Sequence, residues 1–354
     1  MHIKTSFSKK LLDWHAINPR DLPWKETRDP YKTWLSEIIL QQTKVEQGTP
    51  YYEKLVRLFP TVHHLADATE DEVMKAWQGL GYYTRARNLH QASKQIVNEF
   101  GGIFPSRHDQ ILKLKGVGSY TAAAIASFAF DQPHAVMDGN VFRVLARTFG
   151  IDKPIDSIEG KKIFRNLAED LLDKKNPAAY NQAIMNFGSA ICTPANPLCH
   201  ICCFRKACYA FNHQMISQLP RKEKKISVRS RWFNFLFLED RDDIIIEKRT
   251  GKDIWKSLFQ FPMIETTGFA DASDAMENSP YKKVFSAIDL KITGVSPIIE
   301  HRLTHQKIMA QFIHFSLPHE KIKLPLQWKI VKKSEIENFG FPKLIADYCK
   351  KFIH

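Results

Sequence analysis

From Leu11 to Phe211 apolar residues return at every third or fourth position, the spacing of a helix face, and the runs are broken by Gly and Pro. Asp29-Pro30 opens one such run, because proline supplies the fixed φ of a first helical position, and Tyr31, Trp34, Leu35, Ile38 and Ile39 form its stripe. The same period predicts helices over Leu65 to Trp77, Ala86 to Phe100, Gln110 to Leu114, Tyr120 to Ala129, Val141 to Thr148, Gly160 to Leu172 and Ala178 to Ile191. Beyond them the pattern shortens. Trp232 to Leu238, Ile244 to Glu247 and Ile308 to Phe315 are brief runs of Phe, Ile and Val between turn residues, as expected for strands. Between the two textures, Leu219 to Arg231 has no apolar stripe and sets Arg221, Lys222, Lys224, Lys225, Arg229 and Arg231 against Glu223 alone. The expectation is an all-α domain over 1–215, a basic linker over 216–230 and a smaller α+β domain over 231–354.

A chain of 354 residues exceeds the roughly 100–200 of one domain, which agrees with that division. Fifty-one Lys and Arg against 38 Asp and Glu leave a net charge of +13, suited to a polyanion. No stretch reaches the roughly 20 apolar residues of a membrane helix, and the first residues lack a signal-peptide core. A soluble, cytoplasmic protein is expected. Of six cysteines, five fall between Cys192 and Cys208, unlike a disulfide framework spread through a domain. Cys192-x6-Cys199-x2-Cys202-x5-Cys208 places four thiolates where they can wrap one metal centre, and the spacing admits either an iron–sulfur cluster or a structural zinc. Cys203 and Cys349 lie outside it.

Leu114-Lys115-Gly116-Val117-Gly118-Ser119-Tyr120 sits between two helical patterns, where glycines permit a tight turn and leave the amides of the second helix free to meet a phosphate. Val136-Met137-Asp138-Gly139-Asn140-Val141 follows about twenty residues later and brings an acid to a helix entrance. Taken alone, Asp138 or Asn140 reads first as a helix cap.

The hairpin, the downstream Asp and the four-cysteine loop, in this order, resemble the endonuclease III superfamily of DNA glycosylases. Arg20-Asp21-Leu22-Pro23-Trp24, Trp34 to Thr43 and Gly79 to Asn88 resemble, within it, the signatures of MutY-type adenine DNA glycosylases. The resemblance implies a helix-hairpin-helix domain holding a [4Fe–4S] cluster on Cys192, Cys199, Cys202 and Cys208. It implies removal of adenine opposite 8-oxoguanine or guanine in double-stranded DNA, by a monomer. Glu37 would be the general acid and Asp138 the carboxylate that stabilises an oxocarbenium-like sugar, with Asn140 helping to keep Asp138 ionised. Relatives that also cleave the strand carry a lysine two residues after the second hairpin glycine; this chain has Tyr120 there, so base removal without efficient lyase activity is expected. Gln42 and Tyr82 would wedge into the stack with Thr43 beside them, Arg20, Leu22 and Trp24 would line the adenine pocket, and Gly116, Val117, Gly118 and Ser119 would meet the backbone.

The second domain resembles the Nudix-like 8-oxoguanine-recognition domain of the same glycosylases through Lys248-Arg249 and Ile254 to Pro262. No Gly-x5-Glu-x7-Arg-Glu box is present in the sequence, so a recognition module is expected rather than a diphosphate hydrolase. His301-Arg302-Leu303-Thr304-His305 resembles the family's Phe-Ser-His loop but carries Leu303 and Thr304, and Thr304 and His305 are the expected readers of the oxidised base. Competing readings are a thymine or oxidised-pyrimidine glycosylase of the same superfamily and a non-catalytic iron–sulfur DNA-binding protein.

Overall fold

Where the helical period is strongest the helices begin and end on local signals. The structure, a computed structural model, describes residues 2–24, 27–223, 227–277, 281–282, 290–317 and 324–353. Its helices are α1 (His2–Ile17), α2 (Pro30–Leu40), α3 (Val45–Leu58), α4 (Val62–Asp67), α5 (Glu70–Ala76), α6 (Thr84–Phe100), α7 (His108–Ile111), α8 (Ser119–Phe130), α9 (Gly139–Phe149), α10 (Ile158–Leu171), α11 (Pro177–Ala190) and α12 (Tyr209–Asn212). α2 begins at Pro30 as expected, and Asp29 caps it, its side chain accepting from the backbone N–H of Tyr31 and of Lys32. The single helix expected over Leu65 to Trp77 is instead two. Thr69 and Glu72 form a reciprocal capping box that stops α4 and starts α5, a local signal that the apolar period hides.

The residues divide into two compact units, one of 1–67 and 88–225 and the other of 68–87 and 226–354. In the first, α1 packs on α11, α11 on α9 and α8, and α2 on α8 and α3. Its core joins Phe7 and Leu11 of α1 to Val144 and Leu145 of α9, Phe164 of α10 and Phe187 of α11. Part of the basic segment folds onto this unit: Leu219 is buried, Ile155 donates to the Arg221 carbonyl at 3.0 Å, and the Glu223 amide donates to Asp156 at 3.0 Å. Lys224 and Lys225 lie outside the described residues.

The second unit is built on a mixed sheet. Its strands are β1 (Arg229–Asp240), β2 (Asp243–Lys248), β3 (Phe259–Gln260), β4 (Met263–Thr266), β5 (Lys291–Val295), β6 (Ile299–Arg302), β7 (Gln306–Ser316) and β8 (Trp328–Lys332). β1 and β7 pair in parallel from Arg229 against Gln306 to Glu239 against Ser316, and the other pairs are antiparallel. β1 is buried almost continuously from Phe233 to Leu238, as a central strand covered on both faces must be. Helix α14, counting a short α13 (Ala272–Glu277), covers one face over Lys343–Phe352 and stacks Tyr348 on Phe312 with ring centroids 3.5 Å apart. Arg229 and Arg231, grouped by charge with the basic segment, are the first and third residues of β1.

Candidate active site

Glu37 lies on α2, whose buried face would ordinarily be apolar, and only 7 % of it is exposed. Its neighbour comes from the hairpin. Tyr120, the second residue of α8, donates its hydroxyl to Glu37 Oε2 at 2.8 Å. Burial pushes the Glu37 carboxyl up to about 7, the Tyr120 bond opposes that rise, and the charge of Asp138 adds to it. Burial and the two carboxylates together lift the Tyr120 phenol well above its ordinary value, so it is a donor at any physiological pH.

Asp138 is the N-cap of α9, with extended backbone at φ −101° and ψ −179°. One carboxylate oxygen accepts from the Val141 amide at 2.8 Å and the other from Asn140 Nδ2 at 2.8 Å. The side chain is therefore the helix cap, and the cap holds the half-buried carboxylate in place. Burial is the largest influence on the Asp138 carboxyl and its net shift is upward, while these donors and the Arg143 charge pull the other way.

Asn140 is held in turn. Arg143 Nη2 donates to Asn140 Oδ1 at 2.8 Å and to the Gly188 carbonyl at 2.7 Å, while Arg143 Nε donates to the Cys192 carbonyl at 2.6 Å. Gly188 is required here, because a Cβ would stand 2.6 Å from that of Asn140. Arg147, one turn on, donates to the carbonyls of Thr193, Pro194 and Leu219 at 2.7, 2.8 and 3.0 Å. The sequence reading missed both arginines, although two charges four residues apart within the apolar run Val141 to Thr148 were a visible signal.

A cleft of about 210 Å³ opens beside Glu37, lined also by His15, Trp24, Thr33, Phe128 and Gln182. Trp24 lines this cleft and packs edge-on to Tyr52 at 5.3 Å. Leu22 is buried, and Arg20 stands 3.9 Å from Glu46; neither is among the residues lining the cleft. His15 and Gln182 carried no motif and were not anticipated.

In the hairpin, Gly116 has φ +75° and a Cβ would collide with Asn88 at 2.6 Å, so only glycine fits. Val117 anchors the turn in the core, and Gly118 and Ser119 are exposed at the N-terminus of α8, where free amides attract an anion. Gln42 follows α2 with a left-handed backbone at φ +56°, and Thr43 comes next in the same turn. Tyr82, in the second unit, is also left-handed at φ +46° and 45 % exposed. Its hydroxyl bonds that of Thr304. Tyr82, Leu303, Thr304 and His305 line a second pocket of about 460 Å³, with Trp255 and Asp253 on its other wall.

Cys192, Cys199, Cys202 and Cys208 are all half-buried, Cys203 is exposed and Cys349 is buried. Arg147 Nη1 approaches Cys192 Sγ at 3.6 Å, and the Cys208 thiol donates to the Arg147 carbonyl at 3.4 Å. Cys199, Cys202 and Cys208 each feel the charge of Cys192. Among the described residues no three His, Cys, Asp or Glu side chains stand in a ready ligating arrangement. The donor chemistry nevertheless fits an iron–sulfur cluster: four thiols in one loop, beside a fixed guanidinium that offsets thiolate charge.

Residues 35–171 match the HhH-GPD superfamily base excision DNA repair protein family, and residues 234–351 match the NUDIX domain. An adenine DNA glycosylase of Buchnera aphidicola subsp. Baizongia pistaciae is 39 % identical over 258 residues, covering 72 % of this chain and 73 % of its own. The chain belongs to the adenine DNA glycosylases. Like other adenine DNA glycosylases it is a hydrolase of N-glycosyl bonds acting in base excision repair. The rat adenine DNA glycosylase is 41 % identical over 224 residues, which cover 60 % of this chain and 43 % of the rat one. A solved thermostable thymine-DNA glycosylase is 30 % identical with a TM-score of 0.56, covering 59 % of this adenine DNA glycosylase and 97 % of that chain. An endonuclease III–DNA complex, 21 % identical with a TM-score of 0.52 over 60 % of this chain and 98 % of that one, shares the helical fold. No helix among the described residues is long and apolar enough to cross a membrane.

Proposed function

We propose that the protein is a monofunctional glycosylase that removes adenine paired with 8-oxoguanine or guanine in duplex DNA. The observation that carries this reading is the part-buried Glu37–Tyr120 bond, with Glu37 at a cleft wall and its carboxyl near 7. Adenine leaves poorly until its ring is protonated. A carboxyl that keeps its proton near neutrality delivers it to N7 as the glycosidic bond lengthens. Asp138, fixed by the α9 amide and Asn140, stabilises the positive charge that develops at the sugar until water adds there.

Reaching the base requires flipping it out, at a cost of a few kcal/mol that a mispair lowers. Gln42 and Tyr82, both with left-handed backbones, would each enter the stack, with Thr43 beside the first. Gly116, Val117, Gly118 and Ser119 offer the phosphate contact, Trp24 bounds the base, and Arg20 and Leu22 support that wall. Thr304 and His305 read the opposite base, for which 8-oxoguanine presents an N7–H donor and O8 where guanine presents N7 alone.

The four cysteines would hold a [4Fe–4S] cluster, which supplies a rigid anchor for the loop that Arg143 and Arg147 grip. Anaerobically purified protein is then brown and carries about four irons per chain, and Cys203→Ser leaves that content unchanged. Zinc in place of iron by metal analysis would overturn the assignment.

With Tyr120 where a lysine would stand, no Schiff base forms efficiently. Borohydride traps little enzyme–DNA adduct during base removal, and strands break only after hot alkali. Alkali-independent cleavage at the rate of base release would show that another lysine, such as Lys115, is the nucleophile.

The function as a whole is tested by single-turnover incubation with duplexes differing only in the target pair. Adenine release from A:8-oxoG and A:G, with none of thymine from T:G, is expected. Thymine release instead would favour the pyrimidine-glycosylase reading.

A further inference from the structure

The two walls of the pocket beside Tyr82 come from distant stretches of sequence, 253–255 and 301–306. Sequence proximity does not hold them at a fixed separation. Behind them lies Arg231, with a side chain only 8 % exposed and a guanidinium 4.7 Å above the ring of Phe233. Its Nη1 and Nη2 donate to the two carboxylate oxygens of Asp253, both at 2.8 Å. Its Nε and Nη2 donate to the two oxygens of Glu265 at 2.7 and 2.6 Å, and Nη1 also donates to Gln306 Oε1 at 3.2 Å. Five bonds match the five N–H groups of a guanidinium, so the fork is fully used.

Asp253 and Gln306 each belong to a different wall of the pocket. Each wall is also stiff behind its contact. Asp253 receives a second guanidinium from Arg249 at 2.7 Å, and Arg249 Nε donates to the Ile254 carbonyl at 3.1 Å. On the other side the Leu303 amide donates to the Gln306 carbonyl at 2.8 Å, closing the turn that presents Thr304 and His305, and the Arg229 amide donates to the His305 carbonyl at 3.1 Å. A displacement of Arg231 is therefore passed to both walls rather than absorbed by either.

We infer that Arg231 is a positioning residue for recognition of the opposite base: one guanidinium, bonded to Asp253 and Gln306, sets the distance between the two walls of the pocket that holds Thr304 and His305. This rests on reading that pocket as the 8-oxoguanine reader. Lysine keeps the charge but offers three donors from a single point, and cannot bridge three partners in one plane. Glu265 does not line the pocket, so it separates stabilisation from positioning.

The experiment compares Arg231→Lys, Gln306→Leu and Glu265→Gln in the full-length holoprotein, by the ratio of single-turnover adenine release from A:8-oxoG and A:G duplexes, with Tm measured alongside. Wall misplacement of the order of 1 Å costs up to about a hundredfold at such sites, and a loss of about tenfold in the ratio is expected for Arg231→Lys and Gln306→Leu. Glu265→Gln lowers Tm and keeps the ratio. If Arg231→Lys does not fold, Gln306→Leu decides, because it removes one wall contact and leaves both ion pairs in place. A folded Gln306→Leu with the wild-type ratio, or an equal loss in Glu265→Gln, overturns the inference. A wild type that does not discriminate between the duplexes overturns the reader assignment and the inference with it.

Discussion

Glu37→Gln and Asp138→Asn are each expected to slow adenine release by about a thousandfold or more, while mismatched duplex is still bound. General acid catalysis contributes about 10²–10⁴-fold and stabilisation of developing charge a comparable amount, so either loss is large. Both substitutions preserve shape. Each replaces a carboxyl with a carboxamide whose carbonyl oxygen still accepts, from the Tyr120 hydroxyl in the first case and from the Val141 amide in the second, so α2 and the start of α9 keep their places although Asp138→Asn gives up the bond from Asn140 Nδ2. In the proposed binding mode affinity comes mainly from phosphate contacts at the hairpin, which neither change touches. The rate must be measured with enzyme in excess, because slow product release hides a chemical defect. Turnover near the wild-type rate in both variants would remove the acid pair from the mechanism, and loss of binding in both would reduce them to structural residues.

The same carboxyl governs the response to pH. Glu37 ionises near 7 in the folded protein and near 4.5 when unperturbed, and the cause is burial, only partly offset by Tyr120. The acid is active when protonated, so the single-turnover rate falls as pH rises through about 7, and the Glu37→Gln residual rate lacks that limb. The stability consequence has the same sign. Between about 4.5 and 7 the native state binds a proton that the unfolded state has released. The stability this group contributes is thus present below 4.5 and lost as pH rises through 7, by an amount of about 3 kcal/mol once ionisation is complete. Glu37→Gln, which cannot ionise, is therefore more stable than the wild type at pH 8 and much closer to it at pH 5. Chemical denaturation at the two values measures both. An unchanged midpoint at pH 8 would show that Glu37 is not held in a desolvated site.

Burying a carboxylate that costs stability is expected of a residue retained for chemistry rather than packing. The contrast with Asp138 supports a division of labour. Both carboxyls are raised by burial, but Asp138 accepts a backbone amide and a side-chain amide and feels Arg143, whereas Glu37 accepts one phenol. The charge of Asp138 in turn raises the Glu37 carboxyl further and so favours the proton on Glu37.

Local patterns determined by themselves the helical half, the strands β1, β2 and β7, the hairpin with Gly116 at positive φ, and the four-cysteine spacing. Each depends on residues within a few positions of one another, where period, capping and turn chemistry act. The Asp29 cap of α2 is such a case, and so is the Thr69–Glu72 box, which was legible in the sequence but was obscured by the apolar run across it. What the tertiary structure alone decided are the meetings between distant stretches. Glu37 and Tyr120 stand 83 residues apart, and only the packing of α2 on α8 makes one the donor to the other and dries the carboxyl enough to lift it. Arg231 is the sharper example. Its charge places it with Arg221 and Lys222 in a basic segment, yet β1 carries it into the second unit, where Asp253 and Glu265 neutralise it 22 and 34 residues downstream. Charge is a property of composition, but burial and pairing arise only when the chain closes on itself, and they decide whether a cation meets solvent, DNA or a carboxylate.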